Sequence, residues 1–471
     1  MTDVVRARHA DSHLVTDKFD WLRDHVTGAV FVPGETGYAA ECSTFNLLTP
    51  LTPPVVVGAT GVADVEAAVR FASANEMPVA VRGAGHSQPH QASDAVLITL
   101  DRMTAVQIDE DSAVARIAGG ARWGDVVDAT APLGLAAPVG SATTVGAIGY
   151  VLGGGQSPIL GRAYGYASDY VTEFEVVTAD GVRRTANEVE NADLFQALKG
   201  SRGNFGVVTA MRIALLPVET LVAGGLYFPG NDAPRVIRAW RDWAAKLPDA
   251  ATTSVSILRV APMPHLPQVL RGQFVTAIRF AYAGPVGEAV EQFAPMRALG
   301  PAMLDTVEEV PFATATTMHY DPPTPVPFLE RGMALSDFTD EAINALIKVD
   351  GPGSYSPLGN VEIRALGGAL DRAPAPDANP GRGAAYQVVA VGRGTANDSP
   401  AVLTALDALE QALQPWREDR QPPNSMTPEQ AGVDEVRRVY GPELFDRLAT
   451  LKAKYDPDNL FRVNYNIPPA L

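Results

Sequence analysis

The sequence predicts a two-domain α+β protein, and three observations carry the prediction. The chain has 471 residues, more than one hydrophobic core usually organises. Residues 53–82 read as a strand–helix–strand unit. Past residue 217 the texture changes, and Pro-rich loops (322–327 and 374–380) separate helices and strands as in a second α+β domain.

Taken in order, Pro54-Val55-Val56-Val57-Gly58 is a short apolar strand. Asp64 is placed to cap a helix with Val65, Ala68, Val69 and Ala72 on one face, and Asn75 suits the left-handed residue after it. Residues 78–81, 96–100 and 113–117 follow as strands. The glycine-dense stretch 140–165 comes next, then a strand over 170–177. Asp180-Gly181 marks a hairpin whose return is 182–185. Residues 192–199 read as a helix, 206–213 as a strand and 442–454 as a helix. No internal repeat is present.

Bulk chemistry excludes several classes. A net charge of −17 repels phosphate backbones, so nucleic acid is not an expected partner. The lone Cys42 allows neither an intrachain disulfide nor a cysteine-built metal site, and no metal is expected. No apolar run reaches the length of a membrane span, and residues 1–17 carry no apolar signal core. The expectation is a cytoplasmic protein without a membrane partner. The oligomeric state is left open.

Two segments carry chemistry. Arg82-Gly83-Ala84-Gly85-His86-Ser87 follows a strand, and its small residues let backbone N–H groups approach an anion closely; a plain structural turn is the other reading. Residues 140–155 interleave six glycines with Ser141, Thr143, Thr144 and apolar residues. Bare amides and hydroxyls of this kind suit a diphosphate or the polar edge of a flavin ring, and the apolar residues between them argue for a buried segment.

In order and spacing, these segments, Asp193-Leu194-Phe195, Gly203-Asn204-Phe205-Gly206-Val207-Val208-Thr209 and the closing stretch 455–467 resemble the berberine-bridge-enzyme-like branch of the vanillyl-alcohol-oxidase/PCMH flavoproteins. The resemblance implies a PCMH-type FAD-binding domain of two α/β subdomains and an α+β substrate domain whose antiparallel sheet covers the flavin. It places FAD binding in 1–216 (core about 50–216), the substrate domain in 217–425, and a returning segment in 426–471. It implies FAD joined through its 8α carbon to His86. It also implies cofactor contacts from Arg82, Gly83, Ala84, Gly85, Ser87, Gly140, Ser141, Thr144, Val145, Gly146, Gly149, Tyr150, Gly153, Gly206, Val207, Val208, Asn464 and Asn466. The position of a second, cysteinyl link in some relatives is Ala142 here, so a single link is expected. Val145 resembles the small residue that leaves dioxygen a path; plain packing explains it equally. Tyr150 sits where relatives place a His or Tyr near the pyrimidine end of the flavin.

The chain also departs from the family pattern. The segment that carries a tyrosine base in many relatives is Pro422-Pro423-Asn424-Ser425 here. The base must then come from elsewhere, and Glu362, Tyr386 and Tyr150 are the candidates. Strand alternation over 360–368 puts Glu362 and Arg364 on one face, as a structural ion pair or as catalytic groups. Burial is expected to raise the Glu362 pKa toward a useful value. Gln387 lies on the next strand. His90, His319 and Tyr320 read first as loop residues and second as cavity residues.

The expected function is an FAD-dependent oxidase. It passes hydride from a small organic substrate to the flavin, with dioxygen as the second partner and hydrogen peroxide as product. The acidic, Ala/Gly/Pro-rich composition tilts the substrate toward a secondary metabolite. A flavoprotein that rearranges or cyclises its substrate without net oxidation, and a noncatalytic flavin binder, are the alternatives.

Overall fold

The computed structural model describes residues 18–87 and 90–471. Near the N-terminal end, three β-branched runs make a small parallel sheet. Val55–Gly58 and Val79–Arg82 flank Val96–Thr99, and Ala29–Phe31 adds an antiparallel edge. The helix Val62–Ala74 packs Val65, Ala68, Val69 and Ala72 onto it, on the face that the spacing predicts. Its ends differ from the expectation. The N-cap is Gly61, while the Asp64 carboxylate inside the first turn accepts from Thr60 N, Thr60 Oγ1 and Thr27 N at 2.7–2.8 Å. At the other end Asn75 keeps a negative φ of −107°, and the left-handed residue is Glu76.

A second sheet of five antiparallel strands has the order Val106–Asp109, Val114–Ala118, Val207–Ala214, Val171–Val177, Arg183–Asn187. Gly181, at φ 69°, makes the tight turn that Asp180-Gly181 predicts, and Val177 then pairs with Arg183. The helix Ala192–Leu198 stands where the sequence places it. Within the glycine-dense segment, Ala147–Leu152 forms a short helix, and Ala147, Ile148, Val151 and Leu152 are buried.

The remaining strands form a nine-stranded antiparallel sheet. Its middle runs Phe274–Tyr282, Ala251–Arg259, Leu358–Ala365, Tyr386–Arg393, Phe328–Leu335. One face buries Val361, Ile363, Val388, Ala390, Met333 and Leu335 under the helices Ala233–Ala244, Asp340–Asp350 and Ser399–Leu413. Period-2 alternation turns the intervening residues to the opposite face, which looks onto the first two sheets.

The end of the chain is tied into the glycine-rich region. After the helix Pro442–Tyr455, Lys452 Nζ and Asp456 Oδ2 form a fully buried ion pair at 2.7 Å. Asn204 holds the tail from both sides, donating to Tyr465 O at 3.0 Å and accepting from Ile467 N at 2.9 Å. Val79 N donates to Leu460 O at 2.9 Å. Among the described residues no helix is long and apolar enough to cross a membrane, and no His, Cys, Asp or Glu cluster is arranged to hold a metal.

Candidate functional site

Two cavities meet between the sheets. The first, about 400 Å³, is lined by Val79 and Val81 of the parallel sheet, the glycine-rich loop Gly83–Ser87, Val145, Gly146, Ile148, Gly149 and Tyr150, and by Gly203, Gly206 and Asn464. Added Cβ atoms show what the glycines are for. At Gly149 a Cβ would meet no protein atom within 4 Å, and at Gly83 only Gly119 O at 3.7 Å, so both positions open onto the cavity. Tyr150 Oη and Asn464 Oδ1 are buried without a hydrogen-bond partner, a state that costs roughly 1–3 kcal/mol per group unless something else supplies the bond. Bare amides, open glycines and unpaired polar atoms at one place fit a flavin dinucleotide.

His86 lies where the two cavities join. Phe45 stacks on its ring at 3.8 Å between centroids, and Thr144 Oγ1 is 3.2 Å from Nε2. Burial pushes its pKa down to about 4, with the Arg122 charge adding to the fall while Asp321 and Thr144 oppose it. The imidazole is therefore neutral at physiological pH, the form that can act as a nucleophile.

The second cavity, about 480 Å³, lies under the large sheet. Its polar wall is a connected cluster. Glu362, 1% exposed, accepts from Ser254 Oγ at 2.7 Å, from Arg364 Nε and Nη2 at 3.0 and 2.8 Å, and from Arg279 Nη1 at 3.3 Å. His319 Nε2 stands 3.4 Å from the same carboxylate, and burial lowers the His319 pKa. Apolar residues, Leu258, Val260, Leu266, Leu270 and Val391 among them, complete the wall. The residues common to both cavities are His86, Ser141, Val145, Phe328, Glu330, Arg364 and Val389.

The structure brings most of the sequence-derived residues to the first cavity. Gly83, Ala84, Gly85, His86, Ser87, Ser141, Val145, Gly146, Gly149, Tyr150, Gly206, Val208 and Asn464 all line it. Others stand outside. Arg82 points to the opposite side of its strand, where it donates to Glu41 O at 3.0 Å and Asp101 Oδ2 at 2.6 Å. Val207 is turned into the core of the small parallel sheet. Gly140 and Gly153 serve close packing, since a Cβ would press on the Tyr150 ring or on Asn424 Oδ1. Thr144 reaches the site only through His86, and Asn466 does not line the cavity.

Two expectations about the base are overturned. The Tyr386 ring lies on the helix-covered face, against Trp240 and Phe338, because alternation gives the cavity face to Gln387 and Val389. Burial alone would raise Glu362, but the Arg364 and Arg279 guanidinium groups and His319 hold it well below the usual carboxylate range. The Tyr150 hydroxyl is pushed up by burial and stays protonated. His90 is an exposed loop residue whose Nε2 is 3.1 Å from Asn464 O, while His319 and Tyr320 do line the second cavity.

Sequence reasoning missed three groups. Arg202, left-handed at φ 61°, reaches Ser87 Oγ at 3.0 Å and Asn424 Oδ1 at 3.1 Å beside the first cavity. Arg279 comes from a strand in the middle of the sheet. Glu330 stands at the junction itself. The alternation in Phe328-Leu329-Glu330-Arg331-Gly332-Met333 was the available signal for Glu330.

The comparisons agree with this geometry. Residues 53–187 match a family model described as an FAD binding domain, and residues 423–468 one described as berberine and berberine like. The (R)-6-hydroxynicotine oxidase of Paenarthrobacter nicotinovorans is 28% identical over 94% of this chain and 97% of its own length. An uncharacterized FAD-linked oxidoreductase, YgaK of Bacillus subtilis, is 27% identical over the same shares. Among solved structures, 6-hydroxy-D-nicotine oxidase from Arthrobacter nicotinovorans superposes with a TM-score of 0.81 at 25% identity, covering 94% of this chain and 98% of that one. A chitooligosaccharide oxidase at 20% identity shares the fold, with a TM-score of 0.83 over 96% of this chain and 100% of its own. The fold is thus the PCMH-type α+β flavoprotein fold, and the chain is an FAD-linked oxidoreductase similar to the berberine-bridge-enzyme-like oxidases.

Proposed function

We propose that this protein is an oxidase of a small organic substrate, a secondary metabolite by class, with FAD held covalently through His86. The observation that carries the reading is the shared wall. One cavity fits the flavin, the other is walled by side chains of the large sheet, and they meet at His86, Ser141, Val145 and Arg364. When bound, FAD supplies a two-electron acceptor for a substrate hydride and passes the pair to dioxygen, giving hydrogen peroxide.

The chain's own residues do the rest. Neutral His86, fixed by Phe45 and Thr144, is the attachment point. Gly83, Gly146, Gly149, Gly206 and Asn464 would hold the cofactor, with Tyr150 Oη offering it a hydrogen bond. The Glu362–Arg364–Arg279 cluster presents a preorganised polar surface that orients the substrate, because its charges are already paired and need not move. Phe328 and Val389 exclude water from the junction. Val145 is small enough to leave dioxygen a route there.

Acid precipitation tests the link. The yellow colour should stay with precipitated wild-type chain and pass to the supernatant in His86→Ala. Complete release of flavin from wild type would sink the covalent assignment. Peroxide formed on mixing reduced enzyme with air tests the oxidase reading separately.

A further inference from the structure

We propose that Glu330 is the proton acceptor of the oxidation. The inference rests on the oxidase reading above and names the group that reading lacks.

Glu330 is the only carboxylate among the residues that line both cavities, so it alone of the acids is placed to face flavin and substrate together. It sits in the strand Phe328–Leu335, on the face turned away from the helices, opposite Val391 of the neighbouring strand. Among the described residues no hydrogen bond or ion pair reaches its carboxyl. The other candidates are engaged or elsewhere. Glu362 is saturated by Ser254, Arg279 and Arg364, and Tyr386 is on the far face. Asp321 lines the second cavity only.

The charged and titratable groups around Glu330 come from several elements. Arg202 and Tyr465 approach from the flavin side, Glu429 from the loop after the Pro422-Pro423-Asn424-Ser425 segment, and Arg364 and His86 from the shared wall. Arg331, next in its own strand, is engaged by Asp407 at 2.7 Å and Glu410 at 3.4 Å. Burial pushes Glu330 up to about 7; Arg202 works against the rise and Glu429 adds to it. A carboxylate of that basicity is matched to proton transfer near neutral pH, far better than one held below the usual range.

The step balances. The Glu330 carboxylate takes the proton from a substrate O–H or N–H. The electron pair of that bond becomes the second bond of C=O or C=N, and the neighbouring carbon's hydrogen leaves as hydride, two electrons with it, to the flavin oxidant. Glu330 becomes a neutral acid and returns its proton to solvent.

The test needs no substrate. The visible absorbance of the flavin in resting holoenzyme is titrated from pH 5 to 9. Wild type should show one transition near pH 7, absent in Glu330→Gln, restored in Glu330→Asp and kept in Glu362→Gln. A flat wild-type titration, or a transition that survives in Glu330→Gln, overturns the assignment. With a reducing alcohol or amine, Glu330→Gln should lower the anaerobic reduction rate by about 10²–10⁴-fold, and a fall under tenfold also overturns it. Failure of the oxidase reading would show instead as missing peroxide in a sample that still titrates.

Discussion

The cavity that fits the flavin is lined by two glycine-rich loops, with open glycines at 83 and 149 and with buried polar atoms without a partner, Tyr150 Oη and Asn464 Oδ1 among them. The cavity beside it carries a paired charge cluster, Glu362 with Arg364 and Arg279, together with buried polar atoms of Tyr227, Asp321 and Asn360 that have no partner among the described residues. Both leave polar groups unsatisfied for a ligand to complete. The second adds a charge cluster that is held still before the ligand arrives. A fixed cofactor suits the first, since its many hydrogen bonds are made once. Turnover suits the second, since its charges need not rearrange at each cycle.

That contrast can be broken at several points. The largest effect is expected at Glu362. Glu362→Gln leaves Arg364 and Arg279 as buried charges without a counter-ion and should cost about 3–5 kcal/mol in denaturant unfolding. The sign with pH follows from the lowered pKa: the carboxylate's contribution is complete above the unfolded value of about 4.5 and is lost as pH falls below it. Wild type and variant should therefore converge in acid, and a constant difference down to pH 2 would mean the charge is not the source. On the other side, Gly149→Val should lower flavin content, read from the ratio of visible to protein absorbance. It should leave the melting temperature of the apoprotein unchanged, because the new side chain enters open cavity. Full flavin content in this variant would show that the cofactor does not use that wall. The smallest effect is expected at Val145, which faces both cavities. Val145→Leu should slow air reoxidation of the reduced enzyme by a few-fold, and equal rates would remove Val145 from the oxygen path.

The same contrast explains what the sequence made legible. A site lined by glycine-rich loops is written in contiguous runs, so Gly83–Ser87 and the stretch from Val145 to Tyr150 were readable as a unit, and their order along the chain carried the family resemblance. Strand alternation would have improved that reading: Val79 and Val81 face the cavity and Arg82 cannot, just as Gly206 and Val208 do and Val207 cannot. A charge-built site is assembled from strands far apart in sequence. Ser254, Arg279, His319 and Glu362 meet only because of the sheet order, which no local pattern states. The Glu362–Arg364 pair was visible because both members lie in one strand. Their effect on acidity was not, because it depends on Arg279 arriving from a strand two places away in the sheet. Glu330 was hard to read because the Pro-rich run 322–327 marks a loop and hides the strand that begins at Phe328. The redox-neutral alternative drew on the missing tyrosine at 422–425, and an unpaired carboxyl at the cavity junction weakens that ground.

The buried tether between Lys452 and Asp456 has a consequence for the order of events in biosynthesis. It fixes the turn that delivers Phe461, Val463 and Asn464 to the flavin cavity, and those residues are translated long after His86 and both glycine-rich segments. A nascent chain thus owns His86 well before it owns a closed place for the cofactor. On the covalent link proposed above, joining flavin to His86 would wait for the late residues to dock, and a chain that stays yellow after denaturation would be one whose two distant parts had found each other.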